Sequence, residues 1–346
     1  MQRRVTIDHV AKAAGVSIST VSNFLNNRFD AMSETTRERI SAVIDKLNYK
    51  PNNLARGLKG NKSRSIAIVV VNIGYPFCVS IIRSLGDMLS EQGYSLQVNE
   101  TGDDSSRERK ILESLQAQQV DGIVIQTNGQ NNDLLSNLAK QMPVVLIDRE
   151  FNIPHIVNVI TNNLEASAEL TTALFEKGYQ HVLYITEQIE DVSTRRKRLD
   201  GYKQACILRG YEPSVFWVNR KQPDSFKTFV SDMLLHIPSE PFALYTANGL
   251  IMLQLYPLLR RVLPNVPRGM GLATFDDPDW AELVTPPMTG VRQPTAEIGQ
   301  IAAESIIHHL KQNQPFQKRK VRVVDSVLVL RESTESKLFD ITTNEA

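Results

Sequence analysis

"DHVAKAAGVSISTVSNFLN", Asp8 to Asn26, decides how the amino-terminal part of this chain folds. Ile7, Val10, Ala11 and Ala14 recur at spacings of three and four, which is one face of a short helix that stops at Gly15. Gly15 supplies a tight connection, and Ser17 can accept a hydrogen bond from the first turn of a second helix. The result is helix, short turn, helix within about twenty residues. In the second helix Val21, Phe24 and Leu25 turn inward with Val16. Ile18, Ser19, Ser22 and Asn23 are left on the opposite face, and small or polar groups there fit a DNA major groove. "SETTRERISAVIDKLNY" then signals a third helix: Ser33 caps it, and Ile40, Val43, Ile44 and Leu47 close a small three-helix core.

The next stretch, "YKPNNLARGLKG" from Tyr49 to Gly60, holds a proline and a segment of barely two turns containing Gly57. Such a segment is too short to stay helical alone in water and is expected to fold only against something. Its apolar residues are Leu54, Ala55 and Leu58, and two such segments from two subunits could lie in a minor groove and wedge leucines into a base step. Charge agrees: residues 1–64 carry 12 Lys/Arg against 5 Asp/Glu, a net of +7, while the remainder carries 27 against 33. The basic end is the part that would meet phosphate.

These residues carry a resemblance. "VTIDHVAKAAGVSISTVSNFLN" followed by "TRERISAVIDKLNYKPNNLARGLKG" resembles the DNA-binding headpiece and hinge of the lactose-repressor and galactose-repressor (LacI/GalR) family of bacterial transcription regulators. The resemblance implies a homodimer reading a pseudo-palindromic double-stranded operator. It places Ile18, Ser19 and Asn23 at base-reading positions and Leu58 at an intercalating hinge position. Thr6, Ser17, Thr20, Ser22, Asn26, Arg28, Tyr49, Asn52 and Ala55 complete the candidate DNA-binding set. Asn23 stands where members commonly carry arginine. Asparagine prefers adenine and arginine guanine, so the base read there is expected to differ from the family's usual one.

Beyond Lys62 short apolar runs alternate with longer helical stretches. Residues 65–71, 94–98, 122–126 and 143–148 read as buried strands, and residues 181–186, 214–218, 242–247 and 270–275 repeat the alternation. Two parallel-sheet lobes follow, with a ligand expected in the crevice beyond the carboxyl ends of the strands. The expected fold class is thus an all-α helix-turn-helix headpiece with a hinge helix, joined to an α/β two-lobed core of two doubly wound parallel sheets. The family implies a core like periplasmic sugar-binding proteins, with three crossings between lobes. The expected divisions are a headpiece at 1–48, a hinge at 49–61 and a core at 62–346. Within the core, the lobe near DNA takes about 62–160 and 291–323, and the distal lobe about 161–290 and 324–346.

The resemblance also implies effector residues. "YPFC", Tyr75 to Cys78, stands where members have an aromatic loop after the first strand, which singles out Phe77 first and Tyr75 second for stacking on a sugar. "DVSTRRKRLDGY" carries a ligand-binding arginine onto Arg198 by its spacing to Gly201, and "TFDDPDW" offers Asp276 to sugar hydroxyls. Asn248 lies in "TANGL", where many members read Ala-Asn-Asp, so Gly249 removes a usual acid. Asp148, Thr161 and Thr194 are further candidates, and Arg149 follows a strand. Each has a structural alternative: Phe77 in a core, the Arg195–Arg198 run at a solvated helix start, Asp276 and Asp277 capping a helix that begins at Pro278. If Arg149 and Arg198 both face the crevice, the effector carries a carboxylate or phosphate, and a sugar acid is expected over a neutral disaccharide.

The function expected is a sequence-specific repressor of carbohydrate catabolism genes, those for sugar acids among them, released by a sugar-like effector. The alternatives are a global catabolite regulator with a phosphorylated protein partner and an exported sugar-binding transport protein. No secretion signal and no run of about eighteen apolar residues is present, so a cytoplasmic address is expected, and 42% hydrophobic content fits a globular chain. An enzyme is not expected: there is no G-x-G-x-x-G after the first strand, no HExxH and no G-x-S-x-G. No cofactor and no metal are expected. His308 and His309 are adjacent and point apart on a helix, and Cys78 and Cys206 form no CxxC pair. The tail "ESKLFDITTNEA" lacks an apolar heptad, which favours a dimer over a tetramer.

Overall fold

The computed structural model describes residues 5–25, 28–29, 32–49, 63–189, 192–220, 222, 224–235, 240–263, 270–312, 316 and 318–335. Asn26, Asn52, Ala55 and Leu58, most of the expected hinge and the tail beyond 335 lie outside the described residues. The chain divides into two compact units, residues 1–64 and 65–346.

The first unit contains helices α1 (Ile7–Ala14), α2 (Ile18–Leu25) and α3 (Glu34–Lys46). Gly15 ends α1 in the left-handed conformation at φ 63°, the backbone geometry that the quoted stretch requires of a glycine. Ser17 Oγ accepts the Thr20 N–H at 3.1 Å, and Ser33 Oγ accepts the Thr36 N–H at 3.3 Å, so each of these helices starts on a side-chain cap. Val10, Ala11, Ala14, Val21 and Ile40 are buried at the centre, with Val16, Phe24, Leu25, Val43, Ile44 and Leu47 packed around them.

The second unit holds two six-stranded sheets. The first is ordered β11 (Lys320–Val324), β5 (Val157–Thr161), β4 (Val144–Ile147), β3 (Gly122–Ile125), β1 (Ser65–Val70), β2 (Ser95–Glu100), and every pairing is parallel. The second is ordered β12 (Val327–Val329), β10 (Thr289–Arg292), β9 (Met270–Phe275), β8 (Phe242–Thr246), β6 (His181–Thr186), β7 (Ser214–Trp217), parallel except for β12 against β10. Helices cover both faces, which is why the central strands are apolar without alternation. β1 shows the division: Ile66, Ile68 and Val70 pack under α4 (Pro76–Glu91) and α12 (Thr295–Gln312), while Ala67 and Val69 pack under α5 (Ser105–Ala117) and α6 (Asn132–Ala139). Around the second sheet lie α7 (Asn163–Glu176), α8 (Ser193–Leu208), α9 (Asp224–Leu235) and α10 (Gly249–Val262), with the short α11 (Trp280–Leu283) after β9.

Two of the runs read as buried strands are edges. β2 and β7 end their sheets and are partly exposed, Val98 by 42%, because only one neighbour covers an edge strand. Strands β5, β10, β11 and β12 were not singled out from the sequence. They are three to five residues long, and their runs are broken by Asn158, Arg292 and Arg322.

The chain passes between the sheets after β5, after β10 and after β11. Thr161 Oγ1 donates to the Val324 carbonyl at 2.9 Å and lies 2.5 Å from Ser326 Oγ, while the Ser326 N–H donates to Asn162 Oδ1 at 2.8 Å. Two crossings are thereby stitched side by side. Among the described residues, no helix is long and apolar enough to cross a membrane.

Candidate functional site

The amino-terminal unit presents one solvent face of α2. Ile18 is 43% exposed, Ser17, Ser19 and Asn23 are exposed, and Ser22 is half-buried. The Ser17 hydroxyl lies 2.6 Å from that of Ser19 and 2.8 Å from that of Thr20, so the amino end of α2 is an ordered cluster of hydroxyls. Thr6, before α1, is exposed and its N–H donates to His9 Nδ1 at 3.1 Å; Arg28 is exposed beyond α2. Tyr49 differs: it is 9% exposed and its ring belongs to the three-helix core, not to this face.

In the core unit, parallel strands deliver their carboxyl ends to a shared crevice. Asp276 follows β9 and is 6% exposed, at φ 96°. Its Oδ2 accepts the Gly249 N–H at 2.8 Å and the Tyr75 hydroxyl, and its Oδ1 accepts Gln293 Nε2 at 2.5 Å. Burial raises the proton affinity of this carboxyl despite the nearby Arg198 charge and the three donors. Burial, and then the Asp276 carboxylate, hold the Tyr75 phenol well above its ordinary range, so Tyr75 donates. Asp103 and Asp148, after β2 and β4, also sit at positive φ, 64° and 66°. Non-glycine residues in that region are strained, and three such aspartates at strand ends mark the crevice as a place where geometry is held by its surroundings.

Arg198, on α8, is 6% exposed. Its Nε donates to Asn163 Oδ1 at 2.7 Å, its Nη1 donates to the Ala247 carbonyl at 2.9 Å, and its Cζ lies 3.7 Å from the Phe275 ring centroid. No ion pair engages it among the described residues, whereas Arg195 pairs with Glu187 at 3.0 Å and Lys197 with Glu150 at 2.7 Å. Thr194 lies buried one turn before Arg198 on the same helix. Arg149 is also 6% exposed; its Nη1 meets Asp103 Oδ1 at 3.1 Å and the Thr127 carbonyl at 3.3 Å, and its buried Nε has no hydrogen-bond partner among the described residues. Asp148 accepts Gln126 Nε2 at 2.6 Å, and Gln126 Oε1 in turn accepts the Val71 N–H at 3.1 Å.

Several expected residues stand elsewhere or in other roles. Phe77 is 6% exposed in the core of the first lobe, behind Tyr75, with the ring centroids 5.8 Å apart. Tyr75 is the aromatic that reaches across the crevice. Thr161 is buried at the crossing, its hydroxyl committed to Val324 and Ser326. Asn248 spends Oδ1 on the Ile251 N–H at 3.0 Å as the cap of α10. The bare backbone of Gly249 approaches Asp276 in the space an acidic side chain would otherwise approach. Asp277 pairs instead with Arg331 and Arg292, each at 2.6 Å, and caps no helix among the described residues.

Asp103, Gln126, Asn163 and Gln293 were not read from the sequence. Asp103, Gln126 and Gln293 follow the carboxyl ends of β2, β3 and β10, which is the signal that could have found them. A cavity of about 450 Å³ lies at the other end of the second sheet, lined by the first residues of β6, β7 and β8 with Phe175, Tyr211 and Phe229. It is separate from the crevice.

The comparisons fit this geometry. Residues 6–52 match the model of bacterial regulatory proteins of the lacI family, and residues 171–334 match a periplasmic binding protein-like domain. The HTH-type transcriptional regulator KdgR of Bacillus subtilis is 32% identical over 309 residues, covering 88% of this chain and 91% of the relative. PtxS of Pseudomonas plecoglossicida, also an HTH-type transcriptional regulator, is 33% identical over 334 residues, covering 96% of each chain. The lac repressor dimer bound to operator and an anti-inducer shares the fold, with a TM-score of 0.82 at 22% identity over 96% of this chain and 100% of that one. With a helix-turn-helix unit within its first 64 residues and a two-sheet, periplasmic binding protein-like core after them, the chain belongs to the lacI family of bacterial transcription regulators.

Proposed function

We propose that this regulator is a homodimeric, cytoplasmic repressor of sugar-acid catabolism genes that reads a pseudo-palindromic operator and is released by a polyhydroxylated carboxylate bound in the crevice. The observation that carries the ligand class is Arg198. The guanidinium is 6% exposed and feels the charge of Asp276, but no carboxylate lies within ion-pairing distance of it among the described residues. A ligand carboxylate supplies that direct pair. Asp276 and Asp148 are the acceptors for ligand hydroxyls, and the unpartnered Arg149 Nε and Gln293 Oε1 add a donor and an acceptor. Thr194 lines the same turn as Arg198.

On the DNA side, Ile18, Ser19, Ser22 and Asn23 read base edges, and Thr6, Ser17, Thr20 and Arg28 hold phosphates. Asn26, Asn52, Ala55 and Leu58 complete the contact through a hinge at residues 49–61, between a headpiece at 1–48 and a core from 62. The protein acts by binding and not by catalysis, as its relatives are transcription regulators. Effector binding shifts the lobes and costs operator affinity; such couplings are about 1 to 3 kcal/mol and reciprocal.

Isothermal titration of the full chain with D-gluconate, 2-keto-D-gluconate, D-glucose and cellobiose tests the ligand class. Heat from the acids alone is expected, with operator weakening binding of the acid. Binding of the neutral sugars but neither acid would overturn it.

A further inference from the structure

The Tyr75–Asp276 bond joins two lobes. Tyr75 follows β1 in the first sheet and Asp276 follows β9 in the second. The loop that carries Tyr75 is held in place by its own contacts: the Gly74 N–H donates to Asn72 Oδ1 at 2.8 Å, and the Ile73 N–H donates to Glu100 Oε1 at 3.0 Å. Tyr75 then precedes α4 and its ring leans on Phe77.

We propose that the Tyr75 hydroxyl is a built-in competitor for Asp276: it ties the two lobes together across the crevice, and an effector gains Asp276 Oδ2 only by offering a hydroxyl that displaces it. The proposal rests on the reading of the crevice as the effector site. Each carboxylate oxygen has about two acceptor positions, and on Oδ2 both are filled, by the Gly249 N–H and the Tyr75 hydroxyl, while Gln293 takes one on Oδ1. The Gly249 donor is backbone, fixed at the start of α10, and Gln293 directly follows β10 of the same sheet as Asp276. Tyr75 is the donor that comes from the opposite lobe on a rotatable side chain, so it is the one a ligand can replace without unmaking the second lobe.

A buried acceptor left without a donor is costly, and the phenol is one of the three donors that satisfy Asp276. A second link crosses the same gap. The Glu150 N–H, after β4, donates to Ser193 Oγ at 2.8 Å, and Glu150 Oε2 meets Lys197 Nζ of α8 at 2.7 Å. The lobes are therefore tied together at two places, and of these the Tyr75 contact lies on a proposed ligand group.

The test compares the full-length protein with Tyr75→Phe, which keeps the ring against Phe77 and removes the hydroxyl, and with Asp276→Asn. Amide hydrogen exchange of the ligand-free proteins is measured over residues 72–79 and 249–251, and each protein is titrated with D-gluconate. Expected for Tyr75→Phe is faster exchange in both segments and a gluconate Kd lowered about fivefold, the factor one hydrogen bond of ordinary net strength represents. Unchanged exchange, or weaker gluconate binding by Tyr75→Phe, would overturn the proposal; the latter would make Tyr75 a ligand contact. Gluconate binding by wild type that survives Asp276→Asn unaltered would overturn it as well, by removing Asp276 from the site. If gluconate binds none of the proteins, the sugar-acid reading fails, and the exchange rates alone decide the latch: faster supports it, unchanged overturns it.

Discussion

The Arg198 guanidinium stacks on Phe275, its Cζ 3.7 Å from the ring centroid, while Asn163 and the Ala247 carbonyl take its Nε and Nη1. Three neighbours thus orient a planar fork that lysine cannot reproduce, since an ammonium offers a point charge without the second parallel donor. Arg198→Lys is expected to weaken sugar-acid binding by about 2 to 3 kcal/mol, roughly 30- to 150-fold, as a charge-assisted pair is lost. Calorimetry with D-gluconate checks this, and retention of wild-type affinity would remove Arg198 from the site.

Asp276 gives a pH dependence with a definite sign. Burial raises its folded-state pKa above the unfolded value of about 3.9, so the folded state holds the proton more strongly. Its contribution to stability is full below that unfolded value and is lost as pH rises through the folded one. Asp276→Asn is therefore expected to raise the melting temperature of the ligand-free protein at pH 7, with the gain shrinking toward pH 4. Gln293 can turn its unpartnered Oε1 to face the new amide. Thermal melts across that range decide it; a lower melting temperature for the variant at pH 7 would contradict the burial argument.

Gly201 is a packing requirement. A Cβ there would lie 2.1 Å from the Leu164 carbonyl oxygen and 3.1 Å from the Ala168 nitrogen, so α7 and α8 would have to part. Gly201→Ala is expected to cost about 1 to 3 kcal/mol or more, since backbone cannot yield as a side chain does. Denaturant unfolding of the variant measures it.

Ser17 caps α2, and its loss is a smaller effect confined to the first unit. Ser17→Ala removes the acceptor of the Thr20 N–H and is expected to cost about 1 kcal/mol of local stability. Faster amide exchange in α2, with the core unit unchanged, is the expected signature.

Asn23, exposed on α2, tests the reading face directly. Asn23→Arg is expected to move the preferred base at one half-site position from adenine to guanine, a discrimination of about 1 to 3 kcal/mol. Selection from a randomised operator library reads out the change. An identical preferred sequence would place Asn23 off the bases.

The headpiece was legible because its information is local. The apolar spacing around Gly15, the Ser17 and Ser33 caps and the i, i+3, i+4 pattern of α3 each act within a few residues, and α1 and α2 run over the bounds those signals imply. The alternation of apolar runs and helical stretches likewise announced two parallel sheets, because a strand covered on both faces must be apolar throughout. Tertiary structure alone decided which strands became edges. It also decided that Tyr75 reaches Asp276 from 201 residues away. Asp103, Gln126, Asn163 and Gln293 meet the crevice on the same terms: each is an ordinary polar residue until strand order sets its neighbours. Periodicity reports which face of an element is buried, but hydrogen-bond partners from separate strands are chosen by the packing of whole sheets.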